Sequence, residues 1–208
     1  MSRVRIKICG ITTPADGRAA AAAGADAIGL VFYPGSSRAV DVATAAAIVR
    51  ELPPFVSAVG LFVDPEAAEV AEVLAGCPLD LLQFHGAEAP AFCADFGRRY
   101  LKAVRVGAET DVAAAAAAYG EQRLLLDALV PGQAGGTGQT FHWQAIPPEL
   151  RGSVVLAGGL SPDNVGEAVR AVRPYAVDVS SGVEERPGVK SAARMAAFVQ
   201  GVRDADQG

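Results

Sequence analysis

Basic runs, paired cysteines, histidine clusters and long apolar stretches are all missing from this chain of 208 residues. Lys and Arg are scattered and the formal net charge is −5, which argues against a broad nucleic-acid footprint. The three cysteines, Cys9, Cys77 and Cys93, form no C-x-x-C pair. An odd, unpaired set suits a reducing compartment and offers no zinc framework. Two histidines, His85 and His142, are too few for a His-rich metal centre. No apolar stretch reaches the ~20 residues that a membrane helix needs. The opening MSRVRIKICGITTP has neither the apolar core nor the cleavage site of a signal peptide. The expectation is a cytoplasmic protein with no metal, no nucleic-acid partner and no membrane anchor.

What remains is a chain half hydrophobic and one-fifth charged, ordinary for a globular protein. At this length about 70% of the unfolded surface can be buried, so one domain spanning 1–208 is expected. Short apolar runs recur along it and predict strands over 4–9, 27–32, 57–63, 79–84, 100–106, 123–127, 153–158 and 175–180. Their near-continuous Val, Ile and Leu content suits strands covered on both faces, as in a parallel sheet. Between them lie helix starts. Thr13-Pro14, Asp64-Pro65 and Ser161-Pro162 each place a capping oxygen before a proline at the first helical position. Asp41 and Ser191 are further candidate caps. The stretch DVAAAAAAYG reads as helix on alanine's propensity, and FHWQAIPPEL leaves the sixth unit only a short one. Eight strands alternating with helices predict an α/β fold, a (β/α)8 TIM barrel with a closed, parallel, eight-stranded sheet.

In such a barrel the chemistry sits at the carboxyl ends of the strands. The polar residues that fall there are Cys9, His85, Asp127, Gly158, Gly159, Asp178, Ser180, Ser181 and Gly182. Parity puts Cys9 on the face of Lys7, and Asp127 on the face of Leu125, opposite Leu124 and Leu126. A thiol and a carboxylate can therefore converge across the barrel mouth. Each residue also has a plainer use. Cys9 can fill core, Asp127 can cap a turn, His85 can satisfy a carbonyl, and Arg38 can be a solvated loop charge. The segments LAGGLSPDN and DVSSGVE follow strands seven and eight, where barrel loops often cradle a phosphate with backbone N–H groups. This marks Gly158, Gly159, Ser180, Ser181 and Gly182 as a phosphate site. PGQAGGTGQTF lacks the spacing of either a P-loop or a dinucleotide loop, and residues 132–138 read as an active-site loop.

Taken in order, KICGIT, GLVFYPGSSR, GLFV, QFHG, LLLD, GGTGQTFHW, LAGGLSPDNV and DVSSGVEERPGVK resemble the phosphoribosylanthranilate isomerase family over almost the whole chain. The first and last of these are specific to that family, whereas the AGG loop is shared among phosphosugar barrels. Two positions depart from its pattern: Phe84 stands where leucine is usual, and His142 where aspartate is usual. The resemblance implies an Amadori rearrangement of a phosphoribosylated anthranilate in tryptophan biosynthesis, with no cofactor. It implies Cys9 as general base, Asp127 as general acid and Arg38 as partner of the anthranilate carboxylate, with His85 and Asp178 also assigned to the substrate. The expected partner is a phosphorylated aminosugar, and the expected assembly a monomer or homodimer. Free cysteine titrates near ~8.5 and aspartate near ~3.9, so each starts largely in the wrong state for its role. Lys7 is a candidate for lowering the thiol. The rival readings are another phosphosugar barrel isomerase and a non-catalytic phosphate-binding subunit.

Overall fold

A computed structural model describes residues 3–128 and 143–207, apart from the side chain of Gln122. The strands are β1 (Arg5–Cys9), β2 (Ala27–Val31), β3 (Ser57–Phe62), β4 (Leu81–Phe84), β5 (Arg99–Val106), β6 (Leu124–Ala128), β7 (Val155–Leu156) and β8 (Ala176–Val179). They pair in sequence order, all parallel, and β8 returns to β1 through the register Lys7↔Asp178, closing the barrel. The seven helices among the described residues are α1 (Pro14–Ala23), α2 (Val42–Arg50), α3 (Ala67–Gly76), α4 (Pro90–Ala94), α5 (Val112–Tyr119), α6 (Val165–Val172) and α7 (Ala192–Asp206). The sixth unit carries only 3₁₀ turns at Trp143–Ala145 and Pro148–Ser153, in line with its proline-rich sequence.

Strand parity divides the core in two. Outward side chains such as Ile6, Ile8, Leu124, Leu126 and Val177 pack under the helices. Inward ones build the barrel interior, where Leu81, Leu101, Ala103, Leu125, Val155, Ala157 and Ala176 form one apolar cluster. Phe84 points outward and explains its own presence. Its ring lies among Phe62, Phe92, Phe96 and Tyr100, with centroids 5.8–6.2 Å away, and fills the space beneath the short α4.

The caps divide as well. Thr13 accepts from Asp16 N at 3.1 Å and Asp41 from Thr44 N at 2.7 Å, as their sequences predict. Ser191 sits at the N-cap of α7 without a side-chain bond. Asp64 does not cap α3. It adopts φ 46° and its carboxylate accepts from Ala87 N at 2.5 Å, while Glu66 and Glu69 form the capping box two residues later. Ser161 does not cap α6 either. Residues 161–164 form a turn in which Asn164 Oδ1 accepts from Ser161 N, and the helix begins at Val165. After β8 comes a feature the apolar pattern does not announce, an antiparallel hairpin of β9 (Glu184–Arg186) and β10 (Val189–Lys190).

Candidate active site

Cys9 ends β1 because the next residue turns the chain. Gly10 has φ 77°, and a β-carbon there would sit 2.5 Å from Arg38 Cδ and 3.1 Å from Ser180 Oγ. The glycine thus ends the strand and lets the stem of Arg38 cross it. Gly29, on the neighbouring strand, clears a second space. A β-carbon there would lie 2.6 Å from Cys9 Sγ and 3.1 Å from Lys7 Nζ. The thiol and the ammonium therefore share the room that a missing side chain leaves.

Among the described residues, a cavity of about 310 Å³ opens at the carboxyl ends of the strands. Cys9, Arg38, His85, Asp127, Gly158, Gly159, Asp178, Ser180 and Ser181 all line it. Of the residues marked in the sequence, only Gly182 does not. A β-carbon on Gly182 would run into the carbonyl oxygen of Leu160, so this glycine serves the close packing of the eighth loop on the seventh. Residues 132–138 and His142 lie outside the described residues. Gly158 and Gly159 both have positive φ, 79° and 65°, which turns the chain tightly after β7.

Electrostatics at the base begin with burial. Cys9 is 5% exposed, and the loss of water pushes its thiol up; Lys7 pulls it down and Asp178 pushes it up again. The balance leaves the thiol above its ordinary value, so Lys7 moderates the shift without reversing it. Lys7 donates to Asp178 Oδ1 at 2.8 Å. Burial disfavours the Lys7 charge, yet Asp178 and Cys9 outweigh it and hold the ammonium above the usual lysine value.

At the acid, both carboxylate oxygens are engaged. Asp127 Oδ1 accepts from Ala128 N at 2.9 Å, and Oδ2 lies 3.1 Å from His85 Nε2. His85 Nδ1 lies 3.1 Å from the amide of Gln83, which is fully buried. The row Gln83–His85–Asp127 allows two proton arrangements. If the amide nitrogen donates to Nδ1, Nε2–H donates to an ionised Asp127. If the amide oxygen accepts from Nδ1–H, Nε2 accepts the proton of a neutral Asp127. Only the second arrangement loads an acid.

Arg38 is already half engaged. Its Nε and Nη2 donate to Glu184 Oε1 and Oε2 at 2.7 and 2.8 Å, and Lys190 Nζ donates to Oε1 at 2.8 Å. Sequence reasoning passed over Gln83, Glu184 and Lys190. Gln83 is detectable, since it shares the inward parity of His85 and a polar residue inside a barrel strand needs a partner. Among the described residues, no three His, Cys, Asp or Glu side chains are grouped to hold a metal ion, and no helix is long and apolar enough to cross a membrane.

Comparison with known proteins adds a family to this geometry. The model of the N-(5'-phosphoribosyl)anthranilate (PRA) isomerase family matches residues 6–201. An N-(5'-phosphoribosyl)anthranilate isomerase of Pseudomonas aeruginosa (strain LESB58) is 58% identical over 204 residues, covering 98% of this chain and 97% of that protein. The crystal structure of phosphoribosyl anthranilate isomerase from Thermotoga maritima matches with a TM-score of 0.89 at 42% identity, covering 97% of this chain and 99% of that one. A second crystal structure, of the same type of enzyme in complex with reduced 1-(o-carboxyphenylamino)-1-deoxyribulose 5-phosphate, matches at TM-score 0.83 and 38% identity, with 97% and 99% coverage. With a matching barrel and a family model that spans nearly the whole length, this chain belongs to the N-(5'-phosphoribosyl)anthranilate isomerase family.

Proposed function

We propose that this protein, acting as a single barrel domain in the cytoplasm, converts N-(5'-phosphoribosyl)anthranilate to 1-(2-carboxyphenylamino)-1-deoxyribulose 5-phosphate in tryptophan biosynthesis. The observation that carries the reading is that Cys9 and Asp127 line one cavity together with Arg38 and with Gly158, Gly159, Ser180 and Ser181. The fitted ligand is a phosphorylated aminosugar bearing an aromatic carboxylate.

The reaction begins at the ribose ring oxygen. Asp127 delivers a proton there, the bond from that oxygen to C1' breaks, and the nitrogen lone pair forms an iminium ion. The iminium acidifies the proton on C2', which the Cys9 thiolate removes. The resulting enolamine gains a proton at C1', loses one from the C2' hydroxyl, and becomes the ketone. The substrate's own nitrogen is the electron sink, so the chemistry asks for no cofactor.

The surrounding residues set the protons. His85, with both ring nitrogens engaged, acts on Asp127 rather than on the substrate. The Gln83 amide nitrogen faces Nδ1 while its oxygen is buried without a partner, and a flip of that amide would select the tautomer that leaves Asp127 loaded. Lys7 limits the energy needed to ionise Cys9, and Asp178 holds Lys7 through Oδ1 while itself lining the cavity that takes the sugar. Gly158, Gly159, Ser180 and Ser181 receive the phosphate through N–H and O–H donors. The test is a turnover assay on purified protein, following the loss of anthranilate substrate fluorescence beside Cys9→Ser. Rapid loss with wild type, slowed by orders of magnitude with the variant, supports the reading. Ligand binding without turnover in wild type would favour the phosphate-binding subunit instead.

A further inference from the structure

Arg38 is the group that meets an anthranilate carboxylate in the reading above, and the present inference rests on it. Yet the edge of the guanidinium formed by Nε and Nη2 is taken by Glu184. Guanidinium carries five N–H donors in one plane, so a side-on pair leaves the Nη1 and Nη2 end for a second carboxylate. Among the described residues no hydrogen bond engages Nη1, and Arg38 lines the cavity.

We propose that Glu184 is a positioning residue that holds Arg38 edge-on, so that its free end is presented to the carboxylate of the substrate, and that Lys190 joins this clamp to the phosphate loop. The geometry is built for it. The β9–β10 hairpin sets Lys190 opposite Glu184 in register. Thr12 Oγ1 donates to Gly188 O at 2.7 Å, which ties the hairpin to the loop that follows Cys9. Lys190 Nζ donates not only to Glu184 but also to Ser180 O at 3.0 Å, at the start of the phosphate loop. The Lys190 and Glu184 side chains are 0% and 5% exposed, and that of Arg38 16%.

Charge explains why three groups are used. A lone buried Glu184 facing Arg38 would form a neutral pair with little attraction left for a second carboxylate. Lys190, which burial pulls below the usual lysine value while Glu184 holds it up, adds a positive charge to the cluster, so the free end of Arg38 still attracts an anion. Burial alone would push the Glu184 carboxyl up, but its hydrogen bonds and charge pairing with Arg38 and Lys190 hold it below the usual carboxylate range. An arginine pinned along one edge also loses little rotamer freedom when substrate binds.

The experiment compares two ligands on folded wild type and Glu184→Gln. One is reduced 1-(2-carboxyphenylamino)-1-deoxyribulose 5-phosphate, and the other is the same compound without the carboxylate. Wild type should prefer the first by about 10- to 100-fold, the value of one charge-assisted pair. Glu184→Gln makes the cluster more positive, so charge alone would raise that preference. Loss of the edge-on hold on Arg38 should instead lower it toward unity while the decarboxylated ligand binds as before, and KM should rise more than kcat falls. Should the single variant melt below the assay temperature, Glu184→Gln with Lys190→Met removes both charges together and carries the same measurement. If the preference survives, or if both ligands weaken equally, Glu184 is structural and the positioning role is lost. A wild type with no preference for the carboxylate removes the Arg38 reading, and the positioning role with it.

Discussion

The two ends of the barrel interior are built on opposite principles. Below, Leu101, Ala103, Leu125, Val155 and Ala176 meet in an apolar cluster with no polar atom among their side chains. One layer higher, toward the carboxyl ends of β1, β4, β6 and β8, the inward positions hold Lys7, Cys9, Gln83, His85, Asp127 and Asp178, each at most 9% exposed. The lower layer contributes stability by burying apolar area, roughly 25 cal/mol per Å². The upper layer desolvates charges and titratable groups, which costs free energy unless each finds a partner. The contrast separates what holds the barrel together from what it does.

The largest effect expected from breaking the contrast is on the upper layer. Cys9→Ser and Asp127→Asn should each lower kcat by about 10²- to 10⁴-fold, the usual weight of a general base or acid, with circular dichroism and melting close to wild type. Leu125→Ala is the complement. It should cost about 2–5 kcal/mol in denaturant unfolding and leave kcat nearly intact at a temperature where the variant is folded. Arg38→Lys, which keeps the charge but loses the planar fork, should raise KM by about 10-fold or more and change kcat less. Unchanged KM with a collapsed kcat would overturn that role.

A subtler change sharpens the contrast within the upper layer. Lys7→Met removes the group that pulls the Cys9 thiol down, so the alkaline rise of kcat should move to higher pH. The smallest effect concerns the two cysteines outside the barrel mouth. Burial pushes Cys77 and Cys93 up to about 11. Both are neutral in the folded and unfolded chain below the ordinary thiol range, so their contribution to stability is intact there. It is lost as pH rises from about 9 toward 11, where the unfolded chain gives up protons first. Melting temperatures of wild type and Cys77→Ala across that window measure it.

Sequence was informative where one physical rule governs a position. Parity along RIKIC and LLLDA places Cys9 and Asp127 inward, and the structure puts both on the cavity. The apolar strands are legible because burial on both faces leaves little choice of residue. Caps were less so, because Asp64 and Ser161 are short polar side chains with more than one local partner. Ala87 N claims the first, and Asn164 supplies the turn around the second. The Glu184–Lys190 hairpin was not legible at all. Its strands are two and three residues long, mostly charged, and their partners come from distant parts of the chain. The same holds for Gln83, whose meaning depends on a histidine two residues on and an aspartate two strands away.

The central claim assigns proton removal at C2' to Cys9 and proton delivery at the ring oxygen to Asp127. Substrate deuterated at C2' tests it most directly, through the isotope effect on turnover in the two folded variants. The account predicts a large primary effect in Cys9→Ser, where carbon–hydrogen cleavage limits the rate, and an effect near unity in Asp127→Asn, where ring opening limits it. The reverse pattern would contradict the assignment.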